Sequence, residues 1–311
     1  MPHKIYLIIF TMLSLLSCGG NNNNNNDNNS ISIVFTGDVL LDRGIKPIIE
    51  KHGATYLFKG VAPYFNSADF VVVNLECPIT DTASPVNKKY IFRAPSHCAD
   101  GLKQAGITHC ALANNHTMDQ GRAGLESTVR HLHNAGIVPL GFGYTHNERI
   151  QPTFIEKNGI RIAMFNSCPL RIENWEYLDN RPDVCQADYE QLAAEIHSLK
   201  AQSPDCYVVV ILHWGTEFIT TPSLNQRFNA AMLLSSGADA VIGHHPHVVQ
   251  KMEYINGKPV FYSLGNFVFD QKTPDSRKAQ MAVLTFSPDS LMATAVNVDI
   301  KGNMPEVSAH K

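Results

Sequence analysis

The amino-acid sequence predicts an α/β protein in which helices cover a sheet made mainly of parallel strands. Short apolar runs recur between turn-forming residues, a pattern typical of buried strands. Stretches with apolar residues at helical spacing lie between several of these runs, and such an alternation favours parallel pairing. With 44% hydrophobic residues, the chain can supply a large core. We therefore expect one compact domain over residues 31–311.

The predicted elements follow in chain order. The strands are Ile31–Thr36, Phe70–Leu75, Thr108–Ala113, Ile137–Phe142, Ile160–Asn166, Cys206–Leu212, Ala238–Ile242, Val260–Leu264, Gln280–Phe286 and Leu291–Ile300. Helices are predicted at Gly121–Ala135 and Asp188–Lys200, because apolar residues recur at i, i+4 and i+7. The last two strands are consecutive and share the turn at residues 287–290, which indicates a hairpin.

The amino terminus has the pattern of a secretion signal. Lys4 precedes the apolar run Ile5–Leu16, which is too short for an ordinary membrane span. The run ends in a sequence that resembles a bacterial lipobox, and this implies lipidation at Cys18; an ordinary cleaved signal is the alternative. We expect a signal peptide over residues 1–18 and an asparagine-rich flexible linker over residues 19–30. The expected location is the cell envelope, outside the cytoplasm and anchored to a membrane by lipid.

Charge and cysteine content limit the partners and the covalent chemistry. The net charge is −3 and 17% of residues are charged, so the chain lacks the basic footprint of a nucleic-acid-binding protein, and no nucleic-acid partner is expected. Seven cysteines include Cys18. The others are even in number and would permit disulfides in an oxidising compartment, although their spacing assigns no pairs and shows no CxxC metal motif.

The segment Gly243–His247 carries the most specific chemical signal. Three imidazoles surround Pro246 directly after the apolar run Ala238–Ile242. Imidazole is a common ligand of Zn, Mn and Fe, and proline fixes part of the backbone that presents it. Binding sites of open α/β sheets gather at the carboxyl ends of strands. A metal site is therefore predicted here, with a surface histidine cluster as the alternative.

Other predicted strands also end in residues that can bind metal. We expect Gly37 to let the backbone turn so that the following carboxylate is presented. Taken singly, each residue has an ordinary alternative, such as a helix cap or a solvent-facing side chain. Taken together, they predict a metal site at one edge of the sheet. The residues are Asp38, Glu76, Asn114, Asn115, His116 and His213.

Six ordered motifs over nearly the whole chain after the linker carry a family resemblance. They are Gly37-Asp38 through Arg43, Asn74-Leu75-Glu76, Asn114-Asn115-His116 with Asp119 and Gly121, His213-Trp214-Gly215-Thr216-Glu217, His245-Pro246-His247 with Gln250, and Tyr262 through Phe267. In this order they resemble the CapA family, which is linked to bacterial poly-γ-glutamate capsule synthesis. That family is similar in turn to the calcineurin-like metallophosphoesterases. The resemblance implies an αββα sandwich with a two-metal site in the loops that follow the strands.

The resemblance also implies roles for individual residues. His116 would be the general acid, Asp119 would orient its imidazole, and Arg43 would pair with an anionic substrate oxygen, a structural ion pair being the alternative. One or two divalent cations (Mn, Fe or Zn) would activate hydroxide and polarise the scissile group. Their ligands would be Asp38, Glu76, Asn115, His213, His245 and His247, with Glu76 as the bridge.

Three further residues would contact substrate. They are Trp214 and Glu217, which have no counterpart in the generic phosphoesterase, and Asn266 in the last motif. A tryptophan packed in the core is the alternative for Trp214. Asn266 and Asp270 lie in a segment that would equally serve as a structural turn.

The sequence departs from the superfamily pattern at two places. Leu40 stands where the first motif usually has a histidine ligand, which would weaken one metal position, and Glu76 replaces the usual aspartate. In the last motif both His244 and His245 are candidates; His245 is preferred because it forms His-x-His with His247.

Two functions remain open. The first is an extracytoplasmic metal-dependent hydrolase acting on a phosphoester or on an amide of an anionic polymer. The second is a surface assembly or export factor that binds a polyanionic polymer and works with capsule synthase subunits.

Overall fold

The computed structural model describes residues 29–309. The expected signal peptide over residues 1–18, the lipidation site Cys18 and most of the expected linker lie outside the described residues. Within residues 29–309, no helix is both long and apolar enough to cross a membrane.

The described chain alternates strands and helices, as predicted. The strands are β1 (Ile31–Val39), β2 (Phe70–Leu75), β3 (His109–Ala111), β4 (Val138–Leu140), β5 (Phe142–Gly143), β6 (Thr153–Lys157), β7 (Ile160–Ser167), β8 (Asp183–Val184), β9 (Tyr207–His213), β10 (Ala240–His244), β11 (Val249–Ile255), β12 (Lys258–Leu264), β13 (Asn266–Val268), β14 (Lys278–Ser287), β15 (Ser290–Lys301) and β16 (Met304–Val307). The α-helices are α1 (Lys46–His52), α2 (Ala62–Ser67), α3 (Cys98–Gln104), α4 (Gly121–Asn134), α5 (His146–Ile150), α6 (Tyr189–Gln202) and α7 (Leu224–Ser235).

Two sheets form the centre of the molecule. The first has the order β16-β15-β14-β1-β2-β3-β4, with β13 also paired to β1; the second has the order β11-β12-β10-β9-β7-β6. Strands β1 to β4 are parallel, and so are β7, β9, β10 and β12. The predicted metal ligands lie at the carboxyl ends of β1, β2 and β3 in one sheet and of β9 and β10 in the other, or in the loops that follow these strands.

Strand alternation separates an inner core from an outer one. Ile33 and Phe35 of β1 pack with residues of the second sheet, such as Ile211, between the two sheets. Val34, on the other face of β1, belongs to the cluster that also contains helix residues such as Leu125. Helices therefore cover the outer faces of a two-sheet sandwich, as the resemblance implied.

The two helices that the sequence predicted and the hairpin are observed within one or two residues of their predicted bounds, whereas α1, α2, α3, α5 and α7 were not predicted. Helix α4 buries Leu125, Val129 and Leu132 at the predicted spacing. Helix α6 begins after Asp188, which forms a capping box with Gln191. The turn at 287–290 joins β14 and β15 as a hairpin.

Gly37 has a different role from the one expected. Strand β1 continues through Gly37 to Val39 instead of turning there. A Cβ at Gly37 would lie 2.0 Å from the carbonyl oxygen of Gly265. Glycine is therefore required because Gly265, just before β13, approaches β1 closely. At this close approach the N–H of the neighbouring Asp38 donates to Gly265 O at 2.9 Å and holds Asp38 in place.

The cysteines of the described residues are all buried free thiols, so the disulfides that their number permits are not formed here. They are Cys77, Cys98, Cys110, Cys168, Cys185 and Cys206.

Candidate metal centre

Two carboxylates and one imidazole form the centre of the site. The ligand atoms of Asp38, Glu76 and His213 all lie within 4.8 Å of one another, and all three side chains are buried. Oδ2 of Asp38 and both carboxyl oxygens of Glu76 have no hydrogen-bond partner. Burying unpartnered carboxylate oxygens is costly, and a divalent cation would satisfy them. These residues therefore fit a divalent metal ion.

The other predicted ligands join this centre. His213 Nε2 lies 3.1 Å from His245 Nδ1 and 2.9 Å from Asn115 Oδ1. His247 lies between the carboxylates, with Nδ1 3.1 Å from Asp38 Oδ2 and Nε2 3.7 Å from Glu76 Oε1. The structure thus brings all six predicted ligands into one connected cluster.

The backbone around Pro246 explains which histidines face the centre. His245 and His247 have φ values of 99° and 58°, which are rare for residues other than glycine. His244, in β10, instead places Nε2 2.9 Å from the carbonyl oxygen of Thr36. The structure therefore places His245 at the centre and uses His244 to join the two sheets.

Burial and neighbouring charges set the protonation of the cluster. Burial lowers the pKa of His213 well below its usual value, and the neighbouring His245 lowers it further. Burial likewise lowers the pKa of His245 to about 4. Although burial opposes it, the carboxylates of Glu76 and Asp38 raise the pKa of His247 to about 9. His213 and His245 are therefore neutral near pH 7, which is the form that binds metal.

His116 and Asp119 form a buried pair beside the cluster. His116 Nδ1 lies 2.8 Å from Asp119 Oδ2, and the same oxygen accepts a 2.9 Å hydrogen bond from the N–H of Phe92. The Phe92 ring packs 4.2 Å from the imidazole. Burial lowers the pKa of His116, while Asp119 acts in the opposite direction. The pair has the geometry expected of an oriented imidazole.

Arg43 lies at the rim and forms the ion pair that was the alternative to a substrate contact. Its guanidinium pairs with Asp270 and lies 5.1 Å from the ring centre of Phe92 and 5.5 Å from that of Phe269. The Arg43 side chain remains 35% exposed.

The three expected substrate contacts differ in position. Trp214 is fully buried and donates from Nε1 to Tyr262 O at 2.9 Å, so it packs in the core and presents no surface to a substrate. Asn266 is also buried, with Oδ1 3.0 Å from His247 Nδ1, and so lies next to a predicted ligand. Glu217 is exposed, and its charge acts on both Glu76 and His247.

Two residues of the site were not assigned a role from the sequence. Asn74 donates from Nδ2 to Asp38 Oδ1 at 2.8 Å and lies 3.4 Å from His213 Nδ1, so it fixes one carboxylate. Lys88 Nζ lies 2.7 Å from Asp119 Oδ1. Asn74 falls within a quoted motif, whereas Lys88 lies in an irregular segment whose sequence carries no periodic signal.

A two-sheet sandwich with this cluster at the strand ends has the calcineurin-like metallophosphoesterase fold. The structure of Haemophilus influenzae NAD nucleotidase (NadN) is similar in fold, with a TM-score of 0.52, 13% identity and coverage of 90% of this chain and 54% of that one. This chain thus spans about half the length of that nucleotidase, and the similarity concerns the fold alone.

The family model of the bacterial capsule synthesis protein PGA_cap matches residues 32–271, and the chain belongs to this family. The PGA biosynthesis protein CapA of Bacillus subtilis (strain 168) is 33% identical over 256 residues, covering 80% of this chain and 67% of that protein. The capsule biosynthesis protein CapA of Bacillus anthracis is 29% identical over 290 residues, covering 90% of this chain and 70% of that protein.

Proposed function

We propose that this chain is a metal-dependent hydrolase that acts outside the cytoplasm on a phosphoester or on an amide bond of an anionic polymer. The observation that carries the proposal is the set of unpartnered carboxylate oxygens on Asp38 and Glu76 beside the His116–Asp119 pair. A purely structural metal site would need the carboxylates but not an oriented imidazole.

The residues of the cluster would have separate roles in metal binding and proton transfer. Asp38, Glu76 and His213 would hold one cation, and the remaining predicted ligands are available to a second; Mn, Fe and Zn all suit this donor set. When bound, the cation would supply Lewis-acid polarisation of the scissile group. As the imidazolium, with a proton on each nitrogen and Nδ1–H held by Asp119, His116 would give the Nε2 proton to the leaving oxygen or nitrogen as the bond breaks and become the neutral Nδ1–H imidazole.

We further propose where this protein is located and what it acts with. The signal-like leader and Cys18 support secretion followed by lipid anchoring to a bacterial membrane. Relatives named for PGA or capsule biosynthesis support an anionic polymer as substrate and capsule synthase subunits as partners.

A non-catalytic assembly or export factor is the second candidate, and Leu40 favours it. Leu40 is fully buried and its N–H donates to Val268 O at 2.8 Å, so this position offers no nitrogen ligand. Such a factor would bind the polymer near the partly exposed Arg43 side chain without cleaving it.

Metal content and a His116→Ala variant separate the two candidates. We expect the purified protein to bind one or two equivalents of metal and to hydrolyse bis-p-nitrophenyl phosphate or a γ-glutamyl anilide. His116→Ala should lose at least about 100-fold in kcat with the metal content unchanged. A metal-loaded protein without hydrolysis, together with normal polymer production by His116→Ala cells, would favour the assembly factor.

A further inference from the structure

The ammonium of Lys88 lies beside the His116–Asp119 pair of the proposed active site. Its side chain is only 6% exposed, although the residue belongs to the irregular segment between β2 and α3. Nζ lies 2.7 Å from Asp119 Oδ1 and 3.3 Å from His116 Nδ1, and it donates to the backbone carbonyl of Asn115. A buried ammonium is costly unless its donors are used. Here its two acceptors, Asp119 Oδ1 and the Asn115 carbonyl, belong to the stretch that carries the proposed acid and one proposed ligand.

Backbone contacts hold the segment around Lys88 independently of its side chain. The N–H of Val86 donates to Asp119 O at 3.0 Å, and that of Ser84 donates to Gln120 Oε1 at 2.8 Å. On the other side, Gln120 Nε2 donates to Phe92 O at 3.1 Å. The segment is therefore attached on both sides of Lys88, so that loss of the ammonium alone leaves these attachments in place.

The distances also define the hydrogen on His116. Nδ1 of His116 and Oδ2 of Asp119 are 2.8 Å apart, which requires a proton between them because both atoms would otherwise be acceptors. Nδ1 therefore carries the hydrogen, and Nε2 is the nitrogen left to exchange a proton with a substrate. Lys88 binds the other oxygen of the same carboxylate, so it fixes the plane in which Oδ2 receives Nδ1–H.

We propose that Lys88 is a positioning residue of this site. Its ammonium holds the Asp119 carboxylate in the orientation that fixes the His116 tautomer. The ammonium also holds the backbone carbonyl of Asn115. The side-chain Oδ1 of the same residue lies 2.9 Å from His213 Nε2. The catalytic part of this inference rests on the proposed hydrolase, whereas the effects on tautomer and metal affinity do not require turnover.

Three variants of the full-length protein test the proposal. Lys88→Met removes the charge at nearly constant length, and Lys88→Arg keeps it. Lys89→Met is the matched control, because Lys89 is exposed and its Nζ lies 4.9 Å from the ring centre of Tyr90. The readouts are kcat and KM, the Kd for Mn²⁺ or Zn²⁺, and the nitrogen-15 signals that report the His116 tautomer.

We expect Lys88→Met to lower kcat and to weaken metal binding by about 10–100-fold each, with KM changed less than about twofold. The Nδ1–H tautomer of His116 should give way to a mixture. Lys88→Arg should be intermediate and Lys89→Met should match the wild type.

A lower unfolding temperature of Lys88→Met with wild-type kcat, metal Kd and tautomer would overturn the proposal, because it describes a purely structural ion pair. If Lys88→Met does not fold, Lys88→Gln, which also removes the charge, takes its place, and wild-type values of all three readouts in that variant would overturn the proposal. If the wild-type protein hydrolyses neither probe, the hydrolase proposal fails separately; an unchanged tautomer and metal Kd in Lys88→Met would then reject the role of Lys88, and changes in both would support it.

Discussion

Replacing Glu76 with glutamine should change the stability of the protein in opposite directions with and without metal. Glu76 is fully buried, and neither carboxyl oxygen has a hydrogen-bond partner. Burial raises its pKa well above the usual value, and the negative charge of Asp38 raises it further. In the absence of metal, this carboxyl therefore opposes folding, and its removal should raise the free energy of unfolding.

The expected change in the free energy of unfolding differs between the protein in chelator and the protein with bound metal. A buried carboxylate that makes no hydrogen bond and has its His247 partner 3.7 Å away still costs several kcal/mol, while an unpartnered buried amide costs about 1–3 kcal/mol. Glu76→Gln should therefore be more stable than the wild type by about 1–3 kcal/mol in chelator. With metal at a thousand times Kd, the wild type gains about 4 kcal/mol. The variant, which lacks this ligand, should gain less than about 1 kcal/mol, so that the order of stability reverses.

Urea unfolding at pH 7.5, in EDTA and in Mn²⁺ or Zn²⁺, measures both states. Glu217→Gln is the control, because it removes an exposed carboxylate near the same cluster. The reasoning is refuted if Glu76→Gln is less stable than the wild type in EDTA and responds to metal as the wild type does.

Three further outcomes are expected. His109 is buried, and burial lowers its pKa to about 4. The unfolded chain therefore binds more protons than the folded protein between pH 4 and 6.5, and the free energy of unfolding falls as the pH drops through this range. In urea unfolding, His109→Gln should reduce the loss of this free energy between pH 7 and 4.5 by about 2 kcal/mol. Gly37→Ala should cost more than about 3 kcal/mol in urea unfolding and weaken metal binding, because its Cβ would lie 2.0 Å from Gly265 O beside Asp38. Trp214→Phe should lower the unfolding free energy by about 1–3 kcal/mol by removing the buried hydrogen bond from Nε1 to Tyr262 O, without changing KM for either hydrolysis probe.

The parts of the fold that sequence patterns predicted are those in which local composition and burial agree. Strand β2 has the predicted bounds, Phe70–Leu75, because an apolar run lies between Asp69 and Glu76. Helix α7 was not predicted. Its Leu224 and Phe228 are 84% and 69% exposed, so the apolar residues of this helix do not all mark its buried face.

The ligand types of the site were predictable for a related reason. Parallel strands deliver their last residues to one edge, and Asp38 and His213 stand at such ends. Asn74 also stands near the end of a predicted strand, opposite Asp38 in the β1–β2 pair, although the sequence assigned it no role. Lys88 acts from an irregular segment through Asp119, 31 residues away. Its role depends on how separate segments approach one another, which a single sequence does not reveal.

The fully buried Trp214 explains how the strained ligand loop keeps its shape. His245 and His247 hold backbone angles that persist only where surrounding contacts enforce them. The N–H of Trp214 donates to His244 O at 3.1 Å, and its ring lies where a Cβ on Gly243 would come within 2.4 Å of Nε1. The tryptophan that follows the ligand His213 therefore connects that ligand to the histidine loop through the core. Because this packing fixes the histidine directions, binding a cation should cost little reorganisation, and we therefore expect a tight metal site here.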